Sequence, residues 1–328
     1  MPNSLLLILS FSSFLISLLT VFLIKQGLRE SLLDIPNDRS SHTQPTPRGG
    51  GLGFIIAFAI TSGISVFLFS GSLPLYPLWM TLIPLAVIGI IDDRQGVPSG
   101  IRYLVQLVVA SITTFYVGVF PQPWLMHLGL FGQIMAIAIT LIGMTAIINF
   151  YNFMDGLDGL VASCTAIQLG FQAIYLNQTI LWLLVAALLG FLIWNWAPAK
   201  IFMGDVGSTC LGAIVAFSLL SSHQNTSEVW SALVITLPIL GDAVYTLFRR
   251  LLNHENIFQA HRSHIYQRLQ QSGMSHGQVA SIYVVLNLSI AISIINLGTL
   301  GAWYGFFGVI VLIILSEFYL SLRLRSQV

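Results

Sequence analysis

Five aspartates stand at the edges of long apolar stretches, and they are the side chains best suited to chemistry. They are Asp92, Asp93, Asp155, Asp158 and Asp205. Adjacent carboxylates such as Asp92 and Asp93 repel each other unless a cation or a shared proton lies between them. This pair therefore indicates either a cation-dependent site or a solvated helix end that is balanced by Arg94.

The most specific pattern is Asn152-Phe-Met-Asp155-Gly-Leu-Asp158-Gly159. If this segment is helical, Asp155 and Asp158 are i, i+3 and share one face with Asn152. One amide and two carboxylates suit Mg²⁺ that keeps waters and substrate phosphates among its ligands. The alternative is a polar helix cap, and the glycines also allow a break in the helix.

A third acidic segment reads Phe202-Met-Gly-Asp205-Val-Gly207-Ser208. Asp205 stands just before an apolar stretch, where an aspartate commonly caps the first turn of a helix. Its place beside the other acids favours a role as a metal ligand.

Anion-binding features accompany the acids. The run Arg48-Gly49-Gly50-Gly51 enters an apolar stretch, where backbone N–H groups favour an anion and arginine binds phosphate. A flexible hinge is the alternative for this run.

His261, Arg262 and His264 lie in a long basic loop and indicate phosphate or nucleotide binding, with a solvated basic loop as the alternative. Asp242 lies inside an apolar stretch, where it either supports the site or pairs with a loop arginine.

Composition sets the class of protein. Of 328 residues, 56% are hydrophobic and 8% charged, whereas a soluble domain has roughly 25% charged residues. This excludes a typical soluble enzyme and a disordered protein. A net charge of +1 also excludes a nucleic-acid binder, which needs a basic patch. The two cysteines form neither a disulfide framework nor a metal-ligand spacing.

We therefore expect an all-α, polytopic membrane protein with a single domain over residues 1–328. A span needs roughly 20 apolar residues, and about eleven stretches of that kind are predicted. They are 4–24, 50–70, 78–91, 103–120, 130–149, 159–176, 179–197, 207–222, 229–248, 277–297 and 300–321.

Orientation follows from the cations, which favour cytoplasmic loops. All thirteen Lys and Arg residues, Arg29 and Arg39 included, fall on the same side of the eleven-span arrangement. We therefore expect the N-terminus outside and the acids on the cytoplasmic face. This face therefore combines acids, glycines, arginine and histidine. Such a combination suits a Mg²⁺-dependent enzyme that has one soluble diphosphate substrate and one lipid substrate.

These motifs, in this order, resemble the polyprenyl-phosphate N-acetylhexosamine-1-phosphate transferases (glycosyltransferase 4), which include WecA, TagO and MraY. The resemblance runs from about residue 34 to residue 270. It includes the segment 34–42, the Asp92-Asp93 pair, the Asn152–Asp158 signature and Phe202-Met-Gly-Asp205.

The resemblance implies ten or eleven helices with cytoplasmic catalytic loops. It also implies transfer of a sugar phosphate from a UDP-N-acetylhexosamine to undecaprenyl phosphate, with release of UMP. Asp205 and Asn152 would then bind Mg²⁺, with Mn²⁺ as the other ion expected. Asp92 would be the base or the organiser of the lipid phosphate, supported by Asp93, and Asp155 and Asp158 would shape the nucleotide–metal site.

One segment departs from the family. Its late loop usually carries a histidine-rich run, but this chain has His264-Ile-Tyr266-Gln267. The departure is more similar to the WbpL-type branch, which initiates O-antigen synthesis at the bacterial inner membrane. It leaves the donor open among UDP-GlcNAc, UDP-fucosamine and UDP-quinovosamine derivatives. A homodimer is also left open.

Two rival functions use similar residues. A UbiA-type prenyltransferase needs two Asp motifs with acids spaced one helical turn apart, and Asp92-Asp93 lacks that spacing. A secondary transporter would place acids near the midplane, whereas these acids cluster at one face.

Overall fold

The computed structural model describes most of the chain. The described residues are 3–27, 32–36, 42, 44–68, 74–222, 224–257, 259 and 261–325. Arg29, Arg39 and the 37–41 part of the first family motif lie outside them.

Thirteen α-helices occupy the described ranges. They are α1 (Asn3–Gly27), α2 (Gly51–Leu68), α3 (Leu75–Gln95), α4 (Ser99–Val117), α5 (Gly129–Met154), α6 (Leu160–Tyr175), α7 (Leu181–Asn195), α8 (Gly204–Leu220), α9 (Thr226–Leu233), α10 (Leu237–Leu252), α11 (Ile265–Gln271), α12 (His276–Leu297) and α13 (Thr299–Arg325).

Eight helical segments within the described ranges are long and apolar enough to cross a membrane, and α6, α7 and α8 are shorter apolar helices. The all-α, polytopic class is thereby confirmed, and each predicted stretch coincides with a helix. The number of helices that cross the bilayer stays a prediction. The third stretch, predicted at 78–91, is longer than expected, because α3 continues through its polar end to Gln95.

Helix α8 is the centre of the bundle. Every residue from Val206 to Leu219 is buried, and α8 packs against α2, α3, α5 and α6. Glycines permit this close approach: a Cβ on Gly207 would lie 2.9 Å from Gly51 Cα, and one on Gly212 would lie 2.9 Å from Ile148 Cα. The packing therefore fixes the first turn of α8, which carries Asp205.

The Asn152–Gly159 segment, which lies between the predicted stretches 130–149 and 159–176, is helical only over its first residues. Helix α5 ends at Met154, and Asp155 has a non-helical ψ of 50°. Gly159 then adopts a left-handed φ of +72° before α6 begins, which is a conformation that glycine adopts readily. Asp155 and Asp158 thus lie in a turn and do not share a helical face.

The predicted stretch 229–248 is a helical segment that a 3₁₀ turn interrupts. Helix α9 passes through a 3₁₀ turn at Val234–Thr236 into α10. Pro238 lacks an N–H group and its ring clashes with the carbonyl four residues earlier, at Val234, so a regular helix cannot continue there. Asp242 follows in the second turn of α10 and is 2% exposed.

A short sheet draws the first loop across one end of the bundle. Leu33–Asp34 pairs antiparallel with Thr46–Pro47. The Phe202 N–H group donates to the Pro47 carbonyl at 2.8 Å. The loop is therefore tied to the segment that leads into α8, next to the acids.

Candidate active site

Three of the five predicted acids, Asp155, Asp158 and Asp205, line a cavity of about 300 Å³ at this end of the bundle. Asp92 lines a smaller neighbouring cavity together with Asp205, and Asp93 lines neither of the two. The walls of the larger cavity come from the first loop, the end of α5, the start of α8 and the start of α12. The charged or amide side chains in the wall include Arg48, Asn152, Asp155, Asp158, Asp205 and His276. The volume is within the usual range for a small-molecule site, roughly 300–1,000 Å³.

Asp92 and Asp93 leave the end of α3 in different directions. Asp92 accepts hydrogen bonds from the Val97 N–H at 2.6 Å and from Arg102 Nη1 at 2.8 Å. Asp93 accepts the Asp205 N–H at 3.0 Å, and Arg48 Nη1 lies 3.9 Å away. The pair is thus stabilised by separate partners, and the two recorded cations are Arg102 and Arg48 rather than Arg94.

Asp205 joins the end of α5 to the start of α8. Asn152 Nδ2 donates to Asp205 Oδ1 at 2.8 Å and to Ser208 Oγ at 3.0 Å. Arg102 Nη1 lies 3.6 Å from Asp205 Oδ2 as well as contacting Asp92. The predicted association of Asn152 with Asp205 is therefore present, and Arg102 lies between the two acids.

The turn after α5 presents two carboxylates with different surroundings. Asp158 accepts the Ala199 N–H at 3.0 Å, and His276 Nδ1 lies 3.2 Å from its other oxygen. No donor among the described residues is recorded on the Asp155 carboxylate. Burial, followed by the charges of Asp205 and Asp93, raises the pKa of Asp155 well above its ordinary value.

The glycine run serves packing more than anion binding. The N–H groups of Gly50 and Gly51 donate to the carbonyls of Phe202 and Met203 at 2.9 and 2.8 Å. These two N–H groups are therefore not available to a phosphate, which corrects the prediction for Gly50. Gly49 has a φ of +101° and turns the chain so that Arg48 reaches the cavity.

The late loop lies differently from the prediction. His264 is 3% exposed, and its Nδ1 lies 3.4 Å from Asp242 Oδ1. The ring centroids of His261 and His264 lie 5.0 Å apart, and the two rings are tilted by 35°. Burial, followed by the neighbouring His264 and Arg250 side chains, lowers the pKa of His261 to about 4. Neither imidazole lines the cavity, and Arg262 does not line it either, whereas Gln267 does.

Arg102, Gln267 and His276 were missed as site residues. Arg102 follows Asp92 across a Gly96-Val-Pro98 turn, and that spacing was a usable signal. Ser275 and Gln278 form a capping box at the start of α12, which marks His276 as the first residue of a helix at the acidic end. Gln267 had no comparable signal because its place depends on the docking of α11.

Among the described residues, no three or more His, Cys, Asp or Glu side chains are grouped so that they could bind a metal ion without other ligands. The donor chemistry nevertheless suits a hard cation. Asp155 lacks a recorded donor, and Asp93 Oδ2 is buried without a hydrogen-bond partner. Mg²⁺ commonly takes one or two carboxylates and completes its shell with water and phosphate, which fits this arrangement.

Comparison with known proteins identifies the family. A sequence model of glycosyl transferase family 4 matches residues 75–223. A probable undecaprenyl-phosphate N-acetylglucosaminyl 1-phosphate transferase of Bacillus subtilis (strain 168) is 31% identical over an alignment of 328 positions, which covers 93% of this chain and 89% of the relative. The chain belongs to glycosyl transferase family 4.

Other similar members of glycosyl transferase family 4 carry related names. Undecaprenyl-phosphate alpha-N-acetylglucosaminyl 1-phosphate transferases of Yersinia pestis and Escherichia coli (strain K12) are each 28% identical. They cover 85% and 90% of this chain, and the matches span 80% and 83% of their own lengths. The family resemblance of the motifs is confirmed, and the prenyltransferase and transporter alternatives are set aside.

Proposed function

We propose that this protein transfers an N-acetylhexosamine-1-phosphate from a UDP-sugar to undecaprenyl phosphate, releasing UMP. The observation that carries the proposal is the convergence of Asp92, Asp93, Asn152, Asp155 and Asp205 at one end of an apolar helical bundle. The motif order and the names of the relatives support the same reaction. The product, a polyprenyl-diphosphate sugar, would begin the synthesis of O-antigen or another cell-surface polysaccharide.

The transfer forms one bond and breaks one bond. An oxygen of the lipid phosphate attacks the sugar-linked phosphorus of the donor, and the bond from that phosphorus to the UMP oxygen breaks. The lipid phosphate loses any remaining proton before or during the attack. Asp92 is the proposed acceptor of that proton, or it orients the lipid phosphate with Arg102, which it contacts at 2.8 Å.

Asp205 and Asn152, with Asp155 beside them, are the proposed Mg²⁺ ligands, and Mn²⁺ would suit the same oxygen donors. When bound, the ion neutralises phosphate charge that develops during the transfer. Asp93 holds the N–H group of Asp205 and so keeps the first turn of α8 in place. Asp158 orients His276 at the wall of the cavity.

UDP-N-acetylglucosamine is the proposed donor. All the relatives described above are named for N-acetylglucosaminyl transfer. Arg48 is the proposed phosphate contact from the first loop. His261 and Arg262 remain proposed donor contacts that would approach the cavity when substrate binds.

The apolar helices identify a multi-pass membrane protein, and we place it in the bacterial inner membrane. The cavity would face the cytoplasm, where UDP-sugars are made, and the N-terminus would lie outside. A homodimer is compatible with this arrangement.

A transfer assay tests the reaction. The protein would be purified in detergent and mixed with undecaprenyl phosphate, Mg²⁺ and a panel of UDP-N-acetyl sugars, and UMP and the lipid product would be measured. We expect UMP release with UDP-N-acetylglucosamine, and none with the Asp92→Asn variant. UMP release with only a different UDP-sugar would change the proposed donor. Folded protein that releases no UMP with any of the sugars would contradict the proposed reaction.

A further inference from the structure

A buried aspartate far from the reacting groups holds the late loop in place. Asp242 in α10 is 2% exposed, and a carboxylate at that depth requires hydrogen-bond donors. Four donors surround it: the Ile265 N–H at 2.9 Å, the Tyr266 N–H at 3.1 Å, the Tyr283 hydroxyl at 2.6 Å and the Thr246 hydroxyl at 3.0 Å. Two of the four belong to the first turn of α11.

Helix α11 depends on this anchor. It has seven residues, and so short a helix is not stable on its own in water. The first N–H groups of a helix have no partner within it, and here Asp242 accepts two of them. The stability of α11 and the place of Gln267 in the cavity wall therefore follow from a carboxylate on another helix.

Tyr266 extends the connection from α11 to the acidic turn. Its side chain is fully buried, and its hydroxyl donates to the Phe153 carbonyl at 3.0 Å. That carbonyl belongs to the last turn of α5, two residues before Asp155. A Cβ on Gly156 would overlap the Tyr266 hydroxyl, so the tyrosine lies directly against the backbone of the turn.

The two contacts form one continuous path. Asp242 holds the backbone of Tyr266, and the Tyr266 hydroxyl holds the backbone next to Asp155. We propose that Tyr266 is a positioning residue that fixes the turn carrying Asp155 and Asp158, and that Asp242 is the anchor of Tyr266. The effect on catalysis rests on the proposed transfer reaction, whereas the effect on the turn does not.

Tyr266→Phe is the decisive variant, because it removes one hydroxyl and keeps the buried ring. Ser17→Ala is its control, since it also removes a buried hydroxyl that donates to a backbone carbonyl, that of Ala187, but has no recorded contact with Asp242 or with the acidic turn. Hydrogen exchange is measured by mass spectrometry on peptides covering 153–159. The exchange rate of their backbone amides reports the stability of the turn and needs no substrate.

We expect Tyr266→Phe to speed exchange in this turn by about fivefold, the equivalent of one lost hydrogen bond. Ser17→Ala should change it less than twofold there. Asp242→Asn should speed exchange in both 264–271 and 153–159. If that variant does not fold, Tyr266→Phe still decides the proposal.

Kinetics separate positioning from a purely structural role. Tyr266→Phe should lower kcat about fivefold or more while the donor KM stays within twofold, and Ser17→Ala should leave both near the wild-type values. Unchanged exchange in Tyr266→Phe would overturn the connection. Faster exchange with unchanged kcat would overturn the positioning role. A wild-type protein that released no UMP would contradict the proposed function, while the exchange comparison would still test the connection.

Discussion

At the scale of residues, the site is a set of acids whose neighbours differ. Asp92 contacts Arg102, Asp93 contacts the backbone of Asp205, and Asp158 contacts Ala199 and His276. Asp155 has no recorded donor among the described residues. A carboxylate without a hydrogen-bond donor is more open to a cation than one that accepts several hydrogen bonds, so Asp155 is the most open of these four.

Asp92→Asn tests the role of the first acid. The amide keeps the size of the side chain and can still accept a hydrogen bond from Val97, but it cannot accept a proton from the lipid phosphate. We expect turnover to fall about a hundredfold or more, with unchanged melting temperature. Glu228→Gln, at the start of α9 and away from the cavity, is the control. A wild-type rate in Asp92→Asn would dismiss Asp92 as the base.

Asp205→Asn tests metal binding. The substitution removes one negative charge beside Asn152 but keeps an oxygen that can accept its hydrogen bond. We expect the Mg²⁺ concentration for half-maximal UMP release to rise about tenfold or more, as is typical for changes at metal sites. Full activity with an unchanged Mg²⁺ titration would contradict the assignment of Asp205 as a ligand.

At the scale of elements, the sequence predicts the apolar helices well and the acidic turns less well. Composition and the length of the apolar stretches predict where all of these helices lie, because a membrane span is a long and nearly uniform run of apolar residues. The apolar stretch that predicts α5 ends at residue 149, whereas the helix continues to Met154, because the polar side chains of Asn149 and Asn152 end the apolar signal before the helix itself ends. The roles of Gly50 and Gly51 were also missed, because they depend on α8, which lies about 150 residues later in the chain.

Gly51→Ala tests the contact between α2 and α8. A Cβ at this position would overlap the backbone of Gly207, and backbone atoms cannot move aside as a flexible side chain can. We expect the variant to lose about 1–3 kcal/mol of stability, measured as a lower melting temperature in detergent.

Gly63→Ala is the matched control for this prediction, because it lies in the same helix with nothing within 4 Å of its Cβ position. It should keep or slightly raise the melting temperature, since alanine favours a helix by up to about 1 kcal/mol over glycine. Equal melting temperatures in Gly51→Ala and the wild type would show that the two helices separate easily at this crossing.

At the scale of the whole molecule, charge and chemistry coincide at one end of the bundle. Lys25 lies in the last turn of α1, Arg94 in the last turn of α3 and Arg102 in the first turn of α4. Because successive helices run in opposite directions, these cations lie at the end of the bundle that holds the cavity. Lys25 and Lys200 also lie over the same ring, that of Trp194, at 5.0 and 5.7 Å. Because cations favour cytoplasmic loops, we expect the proposed substrate cavity to face the side where UDP-sugars are available.

Cysteine labelling of intact cells tests this orientation directly. Gln95→Cys lies at the exposed end of α3 beside the cavity, and Met126→Cys, whose residue is 69% exposed, lies at the opposite end of the bundle. Because the two native cysteines are buried, a membrane-impermeant maleimide should report the introduced thiols. We expect labelling of position 126 in intact cells and of position 95 only after the membrane is opened. The reverse pattern would place the cavity outside and would contradict a cytoplasmic site for the transfer, because its donor would then have to cross the membrane first.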